Sequence, residues 1–365
     1  MWRATVARTT GEGMRILLAN PRGFCAGVYM AIDVVEQLLD FVDGETIYVY
    51  HEIVHNKYVV QRFIDRGVIF VESIEDVPAG AILVFSAHGV SPAVRKAADA
   101  RCLIAIDATC PLVTKVHAEA IRYAKRGWQI LLVGHTDHQE IIGTRGEAPD
   151  SIQVVDSVEA ISGLHIDDPK KLIYLTQTTL SMDDASVIIR ALRSAFPDIH
   201  EPPSDDICYA TTNRQLAVRQ LATGCDLVIV VGSRNSSNSQ RLRELAEATG
   251  TRALLIDDKK ELTPQMLSGI ETLLVTAGAS APEDLVQDLL LHLVNIGGGT
   301  IEQHDVFNET IEFGLPGTLK KFMRSRGVDP EGRRITMDNI SATEKFLAEN
   351  NIDHQVIDLT IGASS

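Results

Sequence analysis

Three cysteines stand where the chain turns from strand to helix. Cys110, in Asp107-Ala-Thr-Cys110-Pro-Leu-Val113, follows the apolar run Leu103–Ile106. It precedes a helical pattern from Leu112 to Arg126 that Gly127 stops. Pro111 takes the first helical position, where a missing N–H costs nothing. Cys25, in Asn20-Pro-Arg-Gly-Phe-Cys25-Ala-Gly27, follows the strand Arg15–Ala19 and opens a helix near Val28–Phe41. Cys208, in Asp205-Asp-Ile-Cys208-Tyr-Ala-Thr-Thr-Asn213, opens a helix near Thr211–Thr223. A thiolate at such a junction faces the positive end of a helix dipole, which favours the charged, metal-binding form. The near-equal spacing reads as three α/β units, each giving one cysteine to a common point.

Three cysteines without a fourth is an informative number. A closed structural zinc site wants four ligands, usually in close CxxC pairs, and no such pair is present. An electron-transfer iron–sulfur cluster usually takes four cysteines. Three leave one iron of a [4Fe–4S] cluster open to act as a Lewis acid. The other two cysteines, Cys102 and Cys225, lie in or beside apolar strands and read as ordinary buried thiols.

Other polar groups follow strand candidates. They include Ser86-Ala-His88-Gly89, His135-Thr-Asp-His138-Gln-Glu140, Thr176-Gln-Thr178-Thr179, the Ser/Asn loop Gly232–Ser239, and Thr276-Ala-Gly-Ala-Ser280. In open α/β sheets ligands bind beyond the carboxyl ends of strands, where all these loops would lie. The Gly232–Ser239 loop precedes a helix near Gln240–Ala248, so its N–H groups and hydroxyls can cradle an anion. His51-Glu-Ile-Val-His55 matches the zinc-protease pattern H-E-x-x-H, which needs the middle of a helix. Here it follows a strand pattern, Thr46–Tyr50, and the next helix starts only near Asn56, so the protease reading is rejected.

These groups must be positioned by alternating short apolar strands and amphipathic helices, a pattern that runs for some 300 residues and argues for parallel sheets. Ser91-Pro92 and Ser181-Met-Asp-Asp184 mark helix starts, and Phe196-Pro197 marks an end. The expected units are 14–106, 107–204 and 205–290, with a closing segment 291–315. The chain has 365 residues, 45% of them hydrophobic, enough for substantial cores. Its net charge of −15 argues against nucleic-acid binding. No apolar run reaches the roughly 18 residues of a membrane span. Residues 1–13 lack an apolar segment and read as a plain N-terminal extension, so the expected compartment is the reducing cytoplasm.

Taken in order, eight stretches resemble one family. They are Asn20–Gly27, His51–Asn56, Ser86–Val90, Asp107–His117, Thr176–Ser181, Asp205–Gln215, Gly232–Ser239 and Thr276–Pro282. The chain, over about 14–316, is similar to the 4-hydroxy-3-methylbut-2-enyl diphosphate reductases, the IspH or LytB family, which act last in the non-mevalonate isoprenoid pathway. The resemblance implies a trefoil of three α/β units around a central [4Fe–4S] cluster held by Cys25, Cys110 and Cys208. It implies that His55, His88, His138, Ser236, Ser237, Asn238 and Ser280 hold the diphosphate, with Thr179 also among the substrate contacts. Glu140 would deliver protons, with Thr178 beside it. The implied reaction removes an allylic hydroxyl as water, with two single electrons from reduced flavodoxin or ferredoxin, and gives isopentenyl and dimethylallyl diphosphate.

Two other functions stay open on the sequence. A non-redox iron–sulfur hydratase or dehydratase would turn over without added electrons. A non-catalytic iron–sulfur sensor would need neither proton donor nor anion loops. The resemblance ends near Gly317, at a basic island of Lys320, Lys321, Arg324, Arg326, Arg333 and Arg334. A helix near Ser341–Glu349 and a strand near Gln355–Leu359 are expected beyond it, either packed on the body or docking an acidic electron-transfer protein.

Overall fold

A computed structural model describes residues 13–330 and 339–360. The chain opens with β1 (Met14–Asn20) and α1 (Ala26–Phe41). It continues through β2 (Ile47–Tyr50), α2 (Lys57–Ile64), β3 (Ile69–Val71), β4 (Ile82–Phe85), α3 (Pro92–Ala100) and β5 (Ile104–Asp107). Next come α4 (Pro111–Ala124), β6 (Gln129–Val133), α5 (Gln139–Glu147), β7 (Ile152–Val155), β8 (Leu172–Thr176) and α6 (Met182–Ala195). The third stretch holds α7 (Tyr209–Leu221), β9 (Leu227–Val231), α8 (Ser237–Ala248), β10 (Arg252–Ile256), β11 (Thr272–Ala277), α9 (Glu283–Gly297) and β12 (Gly299–Asp305). The last elements are α10 (Gly317–Ser325), α11 (Asn339–Glu349) and β13 (His354–Asp358).

Every strand pair is parallel, in three sheets with orders β3-β2-β4-β5, β7-β6-β8 and β10-β9-β11-β1-β12-β13. Ser91 and Ser181 cap α3 and α6 as their sequence signals demand, and Asn56 caps α2.

The sheets do not follow the consecutive units expected from sequence. β1 lies between β11 and β12 in the third sheet, while α1 crosses to pack Val34, Val35 and Leu38 with Val49 and Val84 of the first. The expected cuts at 106 and 290 fall inside β5 and α9. The segment 291–315 holds β12, a strand that pattern reading misses because Glu302, Gln303 and His304 break the apolar run. All three are buried, and Arg15 of β1 neutralises Glu302 through an ion pair at 2.5 Å.

Residues 1–12 and the basic pair Arg333 and Arg334 lie outside the described residues. The C-terminal stretch packs on the body. Leu319, Phe322 and Met323 of α10 join the first core, while Leu347 and Ile352 join the core beneath α9. β13 pairs with β12 from Ile301–His354 to Asp305–Asp358. Among the described residues no helix is long and apolar enough to cross a membrane.

Candidate active site

Cys25, Cys110 and Cys208 are the N-cap residues of α1, α4 and α7. All three line one cavity of about 750 Å³, counted to its open mouth. First-turn N–H groups face each sulfur: Gly27 and Val28 for Cys25, Leu112 and Val113 for Cys110, Thr211 for Cys208. The Thr211 hydroxyl lies 3.1 Å from the Cys208 sulfur. Burial outweighs these groups and pushes all three thiols up, Cys208 to about 12, and the nearness of Cys25 adds to the rise at Cys110 and Cys208. The helix-dipole argument therefore supplies one contribution, not the net direction. A Cβ on Gly27 would sit 2.5 Å from the Cys110 sulfur, so only glycine lets α4's sulfur approach the start of α1. Cys225 is half-buried, as expected of an ordinary thiol, and lies outside this cavity. Cys102 is exposed, contrary to its reading as a buried thiol. It sits in the turn after α3 at φ +55°, which turns its side chain out of the apolar strand that follows.

Three imidazoles line the same cavity. His55 stacks on His88 with ring centres 4.0 Å apart, and His138 stands edge-on to both, at 5.7 and 6.1 Å. His138 caps α5, its Nδ1 accepting the Glu140 N–H at 3.2 Å. That contact places the proton of neutral His138 on Nε2. Burial lowers the pKa of His138, and lowers His88 well below the ordinary histidine value with a further push from His55 and His138. The H-E-x-x-H stretch is not helical, as the rejection of the protease reading requires. His51 turns to Glu72 at 2.5 Å on the surface. Glu52 orients His55 through its Nδ1 at 3.2 Å, and Asn235 holds Glu52 at 2.7 Å.

The start of α8 also lines the cavity. Ser236 caps it, accepting the Ser239 N–H at 3.3 Å. Ser280 donates to the His55 carbonyl at 2.9 Å, and Ser237 donates to the Thr179 carbonyl at 3.2 Å. Both side-chain atoms of Asn238 are buried without a partner among the described residues, at the cavity wall. A Cβ on Gly278 would lie 1.9 Å from the Ser239 Oγ, so the end of β11 admits α8 only as bare backbone.

Glu140 is 5% exposed, and one oxygen, Oε2, accepts from the Thr178 N–H at 3.0 Å and the Thr178 hydroxyl at 2.9 Å. Thr179 instead accepts from Gln177 at 2.8 Å. The sequence leaves these two threonines unseparated by any residue-level argument; the structure gives Thr178 to Glu140. Cys208 N–H donates to the Thr178 carbonyl at 3.0 Å, which ties the residue that holds Glu140 to a cysteine loop.

The family model described as LytB protein matches residues 16–294. A 4-hydroxy-3-methylbut-2-enyl diphosphate reductase of Rhodopirellula baltica is 53% identical over 309 residues, covering 85% of this chain and 97% of that protein. One from Mycolicibacterium gilvum is 53% identical over 318 residues, 87% of this chain and 95% of its own. The chain belongs to the LytB family. Among solved structures, the Plasmodium falciparum E-1-hydroxy-2-methyl-but-2-enyl-4-diphosphate reductase superposes with TM-score 0.82 at 40% identity, covering 87% of this chain and all of that one. A second, (E)-4-hydroxy-3-methyl-but-2-enyl diphosphate reductase, gives 0.57 at 28% identity, covering 78% and 100%. The fold is thus the trefoil of LytB proteins, with three parallel sheets.

LytB membership implies an iron–sulfur cofactor. The residues present fit one. Three sulfurs on three separate helix starts share a cavity, yet no three His, Cys, Asp or Glu among the described residues gather closely enough for a single ion. Sulfurs offered from three separate helix starts suit a group that spans them.

Sequence reading missed the supports. Buried Arg22 pairs with Glu283 at 2.7 Å, and buried Arg214 pairs with Glu309 at 3.0 Å while donating to the Gly23 carbonyl at 2.8 Å. Together they clamp the Cys25 loop from both sides. Asp206 accepts from the Thr176 N–H and pairs with Lys115 at 3.1 Å; burial pushes its carboxyl up to about 6. Arg22, Lys115 and Arg214 all lie inside the matched motifs. Their roles became legible only once their carboxylates were placed.

Proposed function

We propose that this protein reduces 4-hydroxy-3-methylbut-2-enyl diphosphate to isopentenyl and dimethylallyl diphosphate. The observation that carries the proposal is one cavity lined by Glu140 and Thr178, three capping cysteines, three imidazoles and the Ser/Asn helix start. Cys25, Cys110 and Cys208 hold a [4Fe–4S] cluster. When bound, the cluster supplies electrons one at a time and an open iron for the substrate hydroxyl.

The chain's own residues do the rest. His138 donates from Nε2, since Nδ1 is engaged by the backbone. His55, His88, Ser236, Ser237, Asn238 and Ser280 surround the diphosphate, and the unpartnered amide of Asn238 gains in it the acceptor it lacks. Thr179 completes the substrate contacts. The anion raises the proton affinity of His88 and His138, which burial lowers. Thr178 fixes one oxygen of Glu140, leaving the other to give a proton to the departing hydroxyl. Val28, Val54, Ala87 and Leu112 supply an apolar wall that excludes water from the carbon skeleton. Reduced flavodoxin or ferredoxin supplies the electrons, in the cytoplasm.

The test is anaerobic turnover. Protein with a verified full cluster should oxidise reduced methyl viologen when given the diphosphate, and both products should appear. Turnover without added electrons would show a hydratase instead. No turnover at all would leave the sensor reading.

A further inference from the structure

The motif Asp107–His117 ends on a residue that the reaction does not use. His117 lies on α4, two turns after Cys110, and is 4% exposed. Its Nδ1 is 2.8 Å from Glu147 Oε1, at the end of α5. The same oxygen accepts from Arg95 of α3 at 3.0 Å, and Arg95 also lies 3.6 Å from Asp107. Burial raises the pKa of Glu147, but hydrogen bonds from His117 and Arg95 overcome it and hold the carboxyl below its ordinary range. A carboxylate only accepts, so Nδ1 of His117 carries a proton.

The other edge of the ring enters a seam of glycines. Nε2 has no hydrogen-bond partner among the described residues. A Cβ on Gly89 would lie 3.1 Å from it. On Gly143 a Cβ would lie 3.3 Å from Cε1 of His117 and 3.4 Å from the Gly89 carbonyl. One turn further along α5, a Cβ on Gly146 would lie 2.4 Å from that of Ser91. Two glycines on one face of a nine-residue helix weaken it, by about 1 kcal/mol each relative to alanine. Here they let α5 lay bare backbone against the segment that follows His88, and the imidazole of His117 fills the space between. Glu140 lies in the first turn of α5, and His88 immediately precedes Gly89.

We propose that His117 is a positioning residue that sets Glu140 against His88 across this seam, keeping proton donor and diphosphate contact in register. The proposal rests on the roles given above to Glu140 and His88. Its test uses the full chain with its cluster loaded, assayed by reduced-viologen oxidation with iron content measured in each variant. His117→Ala should keep its iron, lower kcat about tenfold or more and raise KM, because small misplacements at a reacting centre cost rate steeply. Gly143→Ala should act in the same direction, since its methyl presses on both imidazole and carbonyl. Placed in the His117→Ala background, the Gly143→Ala change should recover part of the rate by occupying the vacated space. Simple loss of folded protein would lower kcat in proportion, leave KM in place and give no recovery; that result overturns the proposal. So does His117→Ala with unaltered kcat and KM, or additive losses in the double variant. If His117→Ala does not fold, His117→Asn keeps a donor to Glu147, and the same KM and rescue comparison applies. Glu140→Gln in the same assay separates the two ideas. Turnover retained there removes the underlying reading. Turnover lost there, with His117→Ala unaffected, removes the seam alone.

Discussion

Thr178 gives two hydrogen bonds to one oxygen of Glu140, and that contact sets what either residue can do when changed. Glu140→Gln should keep cluster and substrate binding but lose turnover by about 10²- to 10⁴-fold, the usual range for a positioned proton donor. Thr178→Val keeps the backbone donor and removes the hydroxyl, so it should give a smaller loss, mostly in kcat; single-turnover kinetics read both. The cysteines divide just as sharply. Replacing Cys25, Cys110 or Cys208 by Ser should strip or destabilise the cluster, whereas Cys102→Ser and Cys225→Ser should leave iron content unchanged. Iron loss in either of the last two would remove the assignment. The three cysteines stood out in the sequence because each sits at a strand-to-helix junction, where local signals are strongest; Glu140, Thr178 and the polar residues that line the same cavity were singled out through the family resemblance. The ion-paired supports were not legible. Glu283 lies 261 residues from Arg22, and only the folded chain joins them.

At the scale of elements, the site is a meeting of helix N-termini, and burial there has a measurable cost. His88 and His138 stay neutral in the fold, whereas in the unfolded chain they protonate near pH 6.5. Below that value the unfolded state binds more protons, so stability falls as pH drops, by up to about 1.4 kcal/mol per pH unit for each histidine. The melting temperature should therefore decrease from pH 7 to pH 5.5, and His88→Asn should flatten that slope. A slope unchanged in the variant would show that His88 titrates normally. Packing of α8 gives a second prediction. Gly278→Ala forces a methyl onto the Ser239 hydroxyl, and should cost about 1 to 3 kcal/mol and weaken diphosphate binding. Capped helices such as α3 and α6 could be read directly from Ser91 and Ser181. β12 could not, because its polar run is stabilised by Arg15, a partner far away in sequence.

For the whole molecule, the decisive feature is that β1 belongs to the last sheet. β1, at the start of the described residues, and β13, near their end, lie in one six-stranded sheet, and α11 adds Leu347 to the core beneath α9. Leu347 and Ile352 bury their side chains against the core under α9, worth about 3 to 6 kcal/mol by area alone. Thr343 also donates to Glu283, the partner of Arg22. Removing residues from 339 onward should lower the melting temperature and hasten cluster loss, while leaving KM for reduced flavodoxin unchanged at two salt concentrations. A salt-dependent change in that KM would instead make this stretch a docking element.

The clamp on the Cys25 loop has a consequence for how the protein is made. A nascent chain long enough to expose all three cysteines still lacks Glu283 and Glu309, and lacks both strands that flank β1. Arg22 and Arg214 then have no carboxylates to receive them, and the first cysteine's loop has nothing to hold its shape. On the proposed assignment, cluster insertion would come late in translation or after it, with the thiols kept reduced until then.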